Sequence, residues 1–154
     1  MANPAIVPTI HELAEDARRD LMLCGLALAE AGRLRGSDLL GLRTTLTAPL
    51  VRWRLRLARK HRSAAKHRID ALHAALHDRG SLGMQNADLW SAIIRAVDAL
   101  ALSRWLNTRS LGPEDLVPSR ATVQLLQDEL ATLLGLVHEL AWPDEVPATQ
   151  LERT

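Results

Sequence analysis

Apolar residues recur every three or four positions along most of this chain, and that spacing places them on one side of an α-helix. The first such segment begins near Thr9, whose hydroxyl is followed three residues later by the carboxylate of Glu12, as in a capping box. We expect this helix to run to about residue 31 and to end at Gly32. Its predicted apolar face consists of Leu13, Ala17, Leu21, Cys24 and Leu28.

Polar, glycine and proline residues divide the middle of the chain. Ser37 and Asp38 are candidate caps for a short second helix through about residue 46. Pro49 predicts a break or kink, with a new helix start at Thr47. The third predicted helix is the longest and covers about residues 48–79, which is roughly 48 Å at 1.5 Å per residue. A Gly-Ser-Leu-Gly turn at residues 80–83 ends it.

Two more helices are predicted in the C-terminal half. Asn86 is the candidate cap of a fourth helix that extends to about residue 107. After a loop with one short turn at residues 110–115, Ser119 is the candidate cap of a last helix over about residues 120–141, which Pro143 stops. The predicted inward faces are Leu89, Ile93, Val97 and Leu100 in the fourth helix, and Val123, Leu126, Leu130, Leu133, Val137 and Leu140 in the last.

Composition leads to the same fold class. The chain has 30 Leu and 23 Ala but only four Trp and no Phe or Tyr, so the aromatic residues that strands favour are scarce. We therefore predict an all-α bundle of four to five main helices, with one domain over residues 1–143 and a loose tail at 144–154. No apolar run approaches the ~18 residues of a membrane span, and a single cysteine is typical of a reducing cytosol. A cytoplasmic location without membrane contact is expected.

Charge is the feature most relevant to function, because it is segregated along the chain. The net charge is only +1, yet residues 43–79 carry ten basic and two acidic side chains, and residues 80–154 carry five basic and ten acidic ones. Between Arg52 and Arg68 there are eight cations and no anion. A concentrated basic helix on a nearly neutral chain indicates a polyanionic ligand or an acidic protein surface as its partner.

Helical periodicity sorts the side chains of the third helix into faces. Its predicted core face consists of Trp53, Leu57, Ala64, Ala71 and Ala75, flanked by Ala58, Ala65, Ile69, Leu72 and Leu76. The opposite face carries Arg52, Arg56, Arg59, Lys66 and His67, flanked by Lys60 and Arg62. Three further side chains fall on the apolar side, where they either reach solvent from its edge or lie in a groove beside a neighbouring helix; they are Arg54, His61 and Arg68.

The eight cations of this helix are the predicted nucleic-acid-binding residues. Evenly spaced arginines on a rigid helix suit contact with the phosphate backbone of RNA or single-stranded DNA, whereas nothing in the sequence indicates base-specific readout. Two alternatives are a solvated basic face and pairing with an acidic protein surface. Trp53 packs in the core or, if exposed, stacks on an unpaired base. The predicted binding residues are Arg52, Arg54, Arg56, Arg59, Lys60, Arg62, Lys66 and Arg68.

Catalytic and metal-binding signatures are weak. An Arg-x-x-x-x-His spacing occurs three times, and Arg62/His67 is the best match to the pair used by helical ribonucleases of the HEPN class. Such a ribonuclease is the enzymatic alternative. Asp70, His73 and His77 offer possible metal ligands from one helix, but no Glu-x-x-His motif accompanies them. We expect no catalytic residue, no metal and no cofactor.

Chain size, helical architecture and the basic segment together resemble the small subunit of multi-subunit CRISPR effector complexes. The resemblance implies a non-catalytic subunit in antiviral defence, present in several stacked copies that lean on other protein subunits and contact guide or target strands. It implies that acidic surfaces around Glu114-Asp115 and Asp128-Glu129 meet basic neighbouring subunits. A bundle that binds only protein is a further alternative. The cations that would face a nucleic-acid strand are Arg52, Arg56, Arg59, Lys60, Arg62 and Lys66.

Overall fold

Every regular element that the structure describes is helical. The computed structural model describes residues 9–36, 44–79, 87–108 and 110–139. Its helices are α1 (Ile10–Gly36), α2 (Thr44–Arg79), α3 (Ala87–Ala101), α4 (Arg104–Asn107) and α5 (Leu116–Glu139), with a 3₁₀ turn at Pro113–Asp115. The predicted all-α bundle is confirmed, and none of the described helices is long and apolar enough to cross a lipid bilayer.

Several predictions lie wholly or partly outside the described residues. They are the tail at 144–154, the turn at 80–83, the cap at Asn86, the end of the last helix at 140–141 with its stop at Pro143, and most of the short second helix at 37–46. The last three residues of that predicted helix, from Thr44, belong to α2.

The N-terminus of α1 is capped as its sequence predicts. The backbone N–H of Glu12 donates to Thr9 Oγ1 at 3.1 Å, and the backbone N–H of Thr9 donates to Glu12 Oε2 at 3.2 Å. These two bonds are the reciprocal pair of a capping box, and they satisfy two donors that the first turn leaves without helical partners. Every predicted apolar residue of α1 is buried, so its orientation is confirmed.

The C-terminus of α1 lies beyond the predicted stop at Gly32. The helix continues to Gly36, with Ala31 buried and Leu34 packed against the core. Arg33 pairs with Glu30, and Arg35 donates to the backbone oxygen of Pro113, so both cations of the last turn have acceptors. A glycine inside a helix costs about 1 kcal/mol relative to alanine, and this packing outweighs that cost.

Replacing Gly32 with alanine is therefore expected to stabilise the protein. A Cβ at Gly32 would lie 4.0 Å from Arg120 Nη1, which is ordinary contact, so Gly32→Ala should raise the free energy of unfolding by about 1 kcal/mol. Urea unfolding followed by circular dichroism measures this.

Two glycines of the same fold act as controls. Gly135→Ala, at a helical position with nothing within 4 Å of the new Cβ, should give a similar gain. At Gly25 a Cβ would lie 3.2 Å from Val123 Cγ1, so Gly25→Ala should gain less or lose stability. Equal gains in all three variants would contradict close packing of α1 on α5.

The start of α2 differs from the predicted one. A single helix runs from Thr44 through Pro49 without the expected restart at Thr47. The first four N–H groups of any helix have no helical acceptor, and Pro49 lies only two residues beyond that unpaired turn. Its missing N–H therefore costs one hydrogen bond near the helix end instead of breaking the helix.

The predicted fourth helix is two helices in the structure. α3 ends at Ala101, where backbone N–H groups of the next two residues turn back onto Asp98 and Leu100, and α4 begins at Arg104. The side-chain amide of Asn107 donates to the backbone oxygen of Ser103 at 2.8 Å and holds this corner.

The last helix begins four residues earlier than predicted. It starts at Leu116, directly after the 3₁₀ turn, in which the Gly112 N–H donates to Asp115 Oδ2 at 2.9 Å. Ser119 is therefore not a cap. It is buried inside α5, where its hydroxyl accepts a hydrogen bond from Trp105 Nε1 at 2.9 Å.

The core lies between α1, α2, α3 and α5. α1 packs mainly on α2 and also on α5, while α3 fills the space beside α2 and α5. The predicted seam of α5 is buried from Val123 to Val137, and its sixth member, Leu140, lies outside the described residues. In α3 the predicted inward residues Ile93, Val97 and Leu100 are buried, and Leu89 packs against them half-buried. This arrangement holds α2 rigidly and leaves one of its sides in solvent.

Candidate nucleic-acid interface

The buried face of α2 is rotated from the predicted one. Trp53 was expected in the core, but it is 50% exposed, and Ala71 is exposed as well. Leu57, Ala64 and Ala75 are half-buried. Periodicity places Arg62 beside the outward face, whereas in the structure it belongs to the buried row. That row consists of Val51, Leu55, Ala58, Arg62, Ala65, Ile69, Leu72 and Leu76.

Four cations of α2 form a continuous exposed surface. Arg52, Arg56, Arg59 and Lys60 are all exposed and lie within about 100° of one another around the helix. We call these four residues the exposed strip. None of them forms an ion pair with a carboxylate of the described residues. The helix therefore presents, over about 12 Å of its length, four positive charges that no carboxylate of the described ranges neutralises.

Arg62 is not part of this surface, contrary to the prediction. Its side chain is only 4% exposed and reaches the backbone oxygens of Trp105 and Ser110 in long contacts of 3.4 and 3.5 Å. The guanidinium carbon lies 5.3 Å from the centre of the Trp105 ring. Burial lowers the pKa of Arg62 from its ordinary value. Arg62 thus attaches α4 and the following loop to α2, and only a small part of its side chain reaches solvent.

Arg68 and Lys66 are engaged by carboxylates within the protein. Arg68 Nε lies 2.7 Å from Asp20 Oδ2, and its Nη1 lies 3.1 Å from Asp16 Oδ2, so it ties α2 to α1. Lys66 Nζ lies 2.7 Å from Asp70 Oδ2 one turn along the same helix. The structure thus places these two predicted binding residues in ion pairs. For Arg68 the acidic surface is part of the same molecule, because both of its partners belong to α1.

Arg54 and His61 line a groove beside a neighbouring helix, which was one of the two placements expected from the sequence. A shallow groove of about 410 Å³ between α1 and α2 is lined in part by Arg54, His61 and Glu30. The Arg54 guanidinium carbon also lies 4.6 Å from the centre of the Trp53 ring, so the exposed indole carries a cation on one face. Arg54 and Trp53 together extend the basic surface of α2 with an aromatic platform.

A second groove borders the exposed strip on its other side. It has a volume of about 360 Å³ and lies between α2 and the α4 corner. Its lining consists of Arg59, Arg62, Ser63, Lys66, Leu106, Asn107 and Thr108. Its polar groups are side chains that suit contact with phosphate or sugar oxygens. The strip is therefore a ridge between two grooves, each of which is edged by α2 cations.

Arg62 and His67, the best match among the three Arg-x-x-x-x-His pairs, lie on different sides of α2. Residues five apart on an α-helix point about 140° away from each other. Arg62 is buried against Trp105, whereas His67 is exposed. The arginine and histidine of the best match therefore do not meet at a common site.

The single cysteine is a core residue, as its place on α1 predicts. Cys24 is buried, and this burial raises the pKa of its thiol to about 12, an effect that the positive charge of Arg62 only partly opposes. The thiol is neutral at physiological pH and is not a nucleophile.

The histidines near the end of α2 have a partner that the sequence does not reveal. Asp70 pairs with Lys66, whereas His73 Nε2 and His77 Nε2 lie 2.9 and 2.8 Å from Asp98 Oδ1 on α3. These two hydrogen bonds hold the pKa of Asp98 below its usual range. Asp98 lies 25 and 21 residues from the two histidines, so no local spacing signals this contact.

Comparisons of the chain with protein-family models, with curated proteins and with solved structures find no match. Function is therefore inferred from the surface of α2 itself.

Proposed function

We propose that the protein is a non-catalytic helical subunit that binds the backbone of a single-stranded nucleic acid within a ribonucleoprotein assembly. The observation that carries this proposal is the exposed strip, four cations on one side of α2 without a carboxylate partner among the described residues. The contrast with α1 supports it. There Arg18, Arg19 and Arg33 each lie within 4 Å of an acidic side chain three residues earlier.

Repulsion between neighbouring positive charges on α2 also favours an anionic ligand. Arg56 has three positively charged neighbours on the helix surface: Arg52 lies four residues before it, and Arg59 and Lys60 lie three and four residues after it. Each such pair destabilises an isolated helix by about 0.2–0.5 kcal/mol. Phosphates along the strip would remove this repulsion and release counterions from the nucleic acid, which is the main source of sequence-independent affinity.

Trp53 supports a single-stranded ligand over a duplex. Its half-exposed indole lies next to Arg52 at one end of the strip and carries Arg54 on one face. Aromatic side chains beside a basic surface stack on unpaired bases, and such stacking tolerates any base. Backbone contact from the strip and stacking on Trp53 together suit a strand without base-specific readout.

The proposal keeps the likeness to CRISPR effector small subunits, with several copies, neighbouring protein subunits and a cytoplasmic location. The exposed carboxylates Glu114 and Asp128 lie on the 3₁₀ turn and α5 and are available to basic surfaces of such neighbours. RNA and DNA share the phosphate chemistry that the strip would contact.

Binding to labelled oligonucleotides tests the proposal. Purified protein freed of nucleic acid is titrated into fluorescent single-stranded RNA, single-stranded DNA and duplex DNA of equal length, and anisotropy is recorded at low salt. We expect both single strands to bind and the duplex to bind more weakly. Absence of binding to all three would contradict the proposal.

The same samples show whether the protein cleaves RNA, as the enzymatic alternative requires. Cleavage of the RNA that is lost in His67→Ala would favour a HEPN-like ribonuclease instead. A stable complex with intact RNA is the result that the proposal predicts.

A further inference from the structure

Three metal-ligand side chains converge where α2 meets α3. His73 and His77 lie one turn apart on α2, with ring centres 4.4 Å apart, and both direct Nε2 toward the same oxygen of Asp98. The three ligand atoms lie within 4.8 Å of one another, and all three side chains are partly open to solvent. Among the described residues no other group of three histidine, cysteine or acidic side chains converges in this way.

The donor set is one that borderline divalent metal ions prefer. Two imidazole nitrogens and one carboxylate oxygen occur together in many zinc sites, where the ion takes its remaining ligand from water. The i, i+4 spacing places both imidazoles on the same side of α2, and the carboxylate comes from a different helix, so the ligands approach a shared point from two elements.

The two histidine–aspartate distances require only a small adjustment to admit an ion. With metal–ligand bonds of about 2.0–2.1 Å, neighbouring ligand atoms of a tetrahedral site lie roughly 3.3 Å apart. The Nε2–Oδ1 distances here are 2.9 and 2.8 Å, so each pair must open by about half an ångström. The two Nε2 atoms, which lie within 4.8 Å of each other, must come to the same spacing. The side chains are half-exposed, so rotation about their own bonds is open to them.

We propose that His73, His77 and Asp98 bind one Zn²⁺ ion per chain and that the ion cross-links α2 to α3, with an open coordination position facing solvent. Each imidazole binds through Nε2 and carries its proton on Nδ1. This proposal is independent of nucleic-acid binding, because none of its three residues belongs to the exposed strip. It differs from the expectation of no metal drawn from the sequence, because the sequence does not show that Asp98 of α3 lies beside the two histidines.

Calorimetric titration of ZnCl₂ into untagged, chelator-treated protein tests this site. We expect one bound ion per chain and a melting temperature higher by about 5 °C at saturating Zn²⁺, because an ion that binds only the folded state stabilises it. His73→Ala, His77→Ala and Asp98→Ala should each weaken Zn²⁺ binding at least 10-fold and abolish the thermal shift.

Two control variants lie on the same helix but outside the cluster. His67 and Asp70 are both exposed on α2, so His67→Ala and Asp70→Ala should bind Zn²⁺ like the unaltered chain. Co²⁺ gives a second readout, since its visible absorption bands report nitrogen and oxygen ligation. These bands should appear in the unaltered chain and in both controls.

Asp98→Asn guards against loss of the fold as the cause of lost binding. Its side-chain oxygen can still accept a histidine N–H, so the melting temperature without metal should stay close to that of the unaltered chain, while Zn²⁺ binding falls at least 10-fold. Zn²⁺ binding of equal strength in Asp98→Asn and both histidine variants would overturn the proposal, as would failure of the unaltered chain to bind Zn²⁺.

Discussion

Reversing the charge of the exposed strip is expected to raise the dissociation constant for a single-stranded oligonucleotide at least 100-fold, or about 2.7 kcal/mol at 25 °C. The variant combines Arg52→Glu, Arg56→Glu, Arg59→Glu and Lys60→Glu. It removes the phosphate contacts of α2 and replaces them with repulsion, because four carboxylates would then face the backbone. Fluorescence anisotropy with labelled single-stranded RNA measures the change.

A matched control separates the position of the charges from their number. Arg19, Arg95, Arg104 and Arg120 are exposed arginines outside α2, and their replacement by Glu changes the net charge by the same amount. This control should lose far less affinity than the strip variant. Circular dichroism should show both proteins folded, since all eight side chains are exposed. Equal losses in the two variants would mean that net charge, and not the strip, governs binding.

Truncating the buried arginine is expected to produce the other large effect, on stability. Arg62→Ala should lower the free energy of unfolding by about 2–4 kcal/mol, because it opens a cavity under α4 and leaves the oxygens of Trp105 and Ser110 without this donor. Urea unfolding followed by circular dichroism measures the loss. Leu72→Ala, a core truncation on the same buried row, should cost a similar 2–5 kcal/mol.

Arg62→Met distinguishes packing from charge at the same position. Methionine fills much of the space of the arginine stem without bringing a charge into the interior, but it also leaves the oxygens of Trp105 and Ser110 without this donor. We expect Arg62→Met to lower the free energy of unfolding by less than Arg62→Ala does, because no cavity opens under α4. Its affinity for single-stranded RNA should change less than twofold. A large loss of affinity in a folded Arg62→Met protein would return Arg62 to the binding surface.

The helices and their buried seams follow from the sequence because leucine and alanine periodicity is strong. The seam of α5 and the apolar face of α1 are where the spacing places them. The errors occur where tertiary packing outweighs a local signal. Gly32 lies between Ala31 and Leu34, whose contacts with the core keep the helix intact, and Pro49 lies too near a helix end to break it.

The candidate interface was predictable in part. The charge count identifies α2 as the basic element, and four of the eight predicted residues form the exposed strip. Lys66 pairs with Asp70 one turn away, but the places of Arg62 and Arg68 depend on residues far away in the chain. Arg68 meets Asp16 and Asp20 of α1, and Arg62 lies under Trp105, so only the folded arrangement separates them from the strip.

Trp53 and Asp98 also show what the sequence alone does not reveal: one was assigned to the wrong place, and the other was not singled out at all. Periodicity assigns the indole to the core, yet the rotation of α2 toward α1 and α3 leaves it half in solvent. Asp98 has no motif to mark it, yet it lies against two histidines of another helix. Both positions depend on how the helices pack and not on spacing within one helix.

Phosphate contact by α2 is tested most directly by the salt dependence of binding. The logarithm of the association constant for single-stranded RNA is measured against the logarithm of the KCl concentration. Four phosphate contacts from the exposed strip, at about 0.7 counterions released per contact, predict a slope of about −3. A slope near zero for the unaltered chain would contradict binding of a nucleic-acid backbone by this helix.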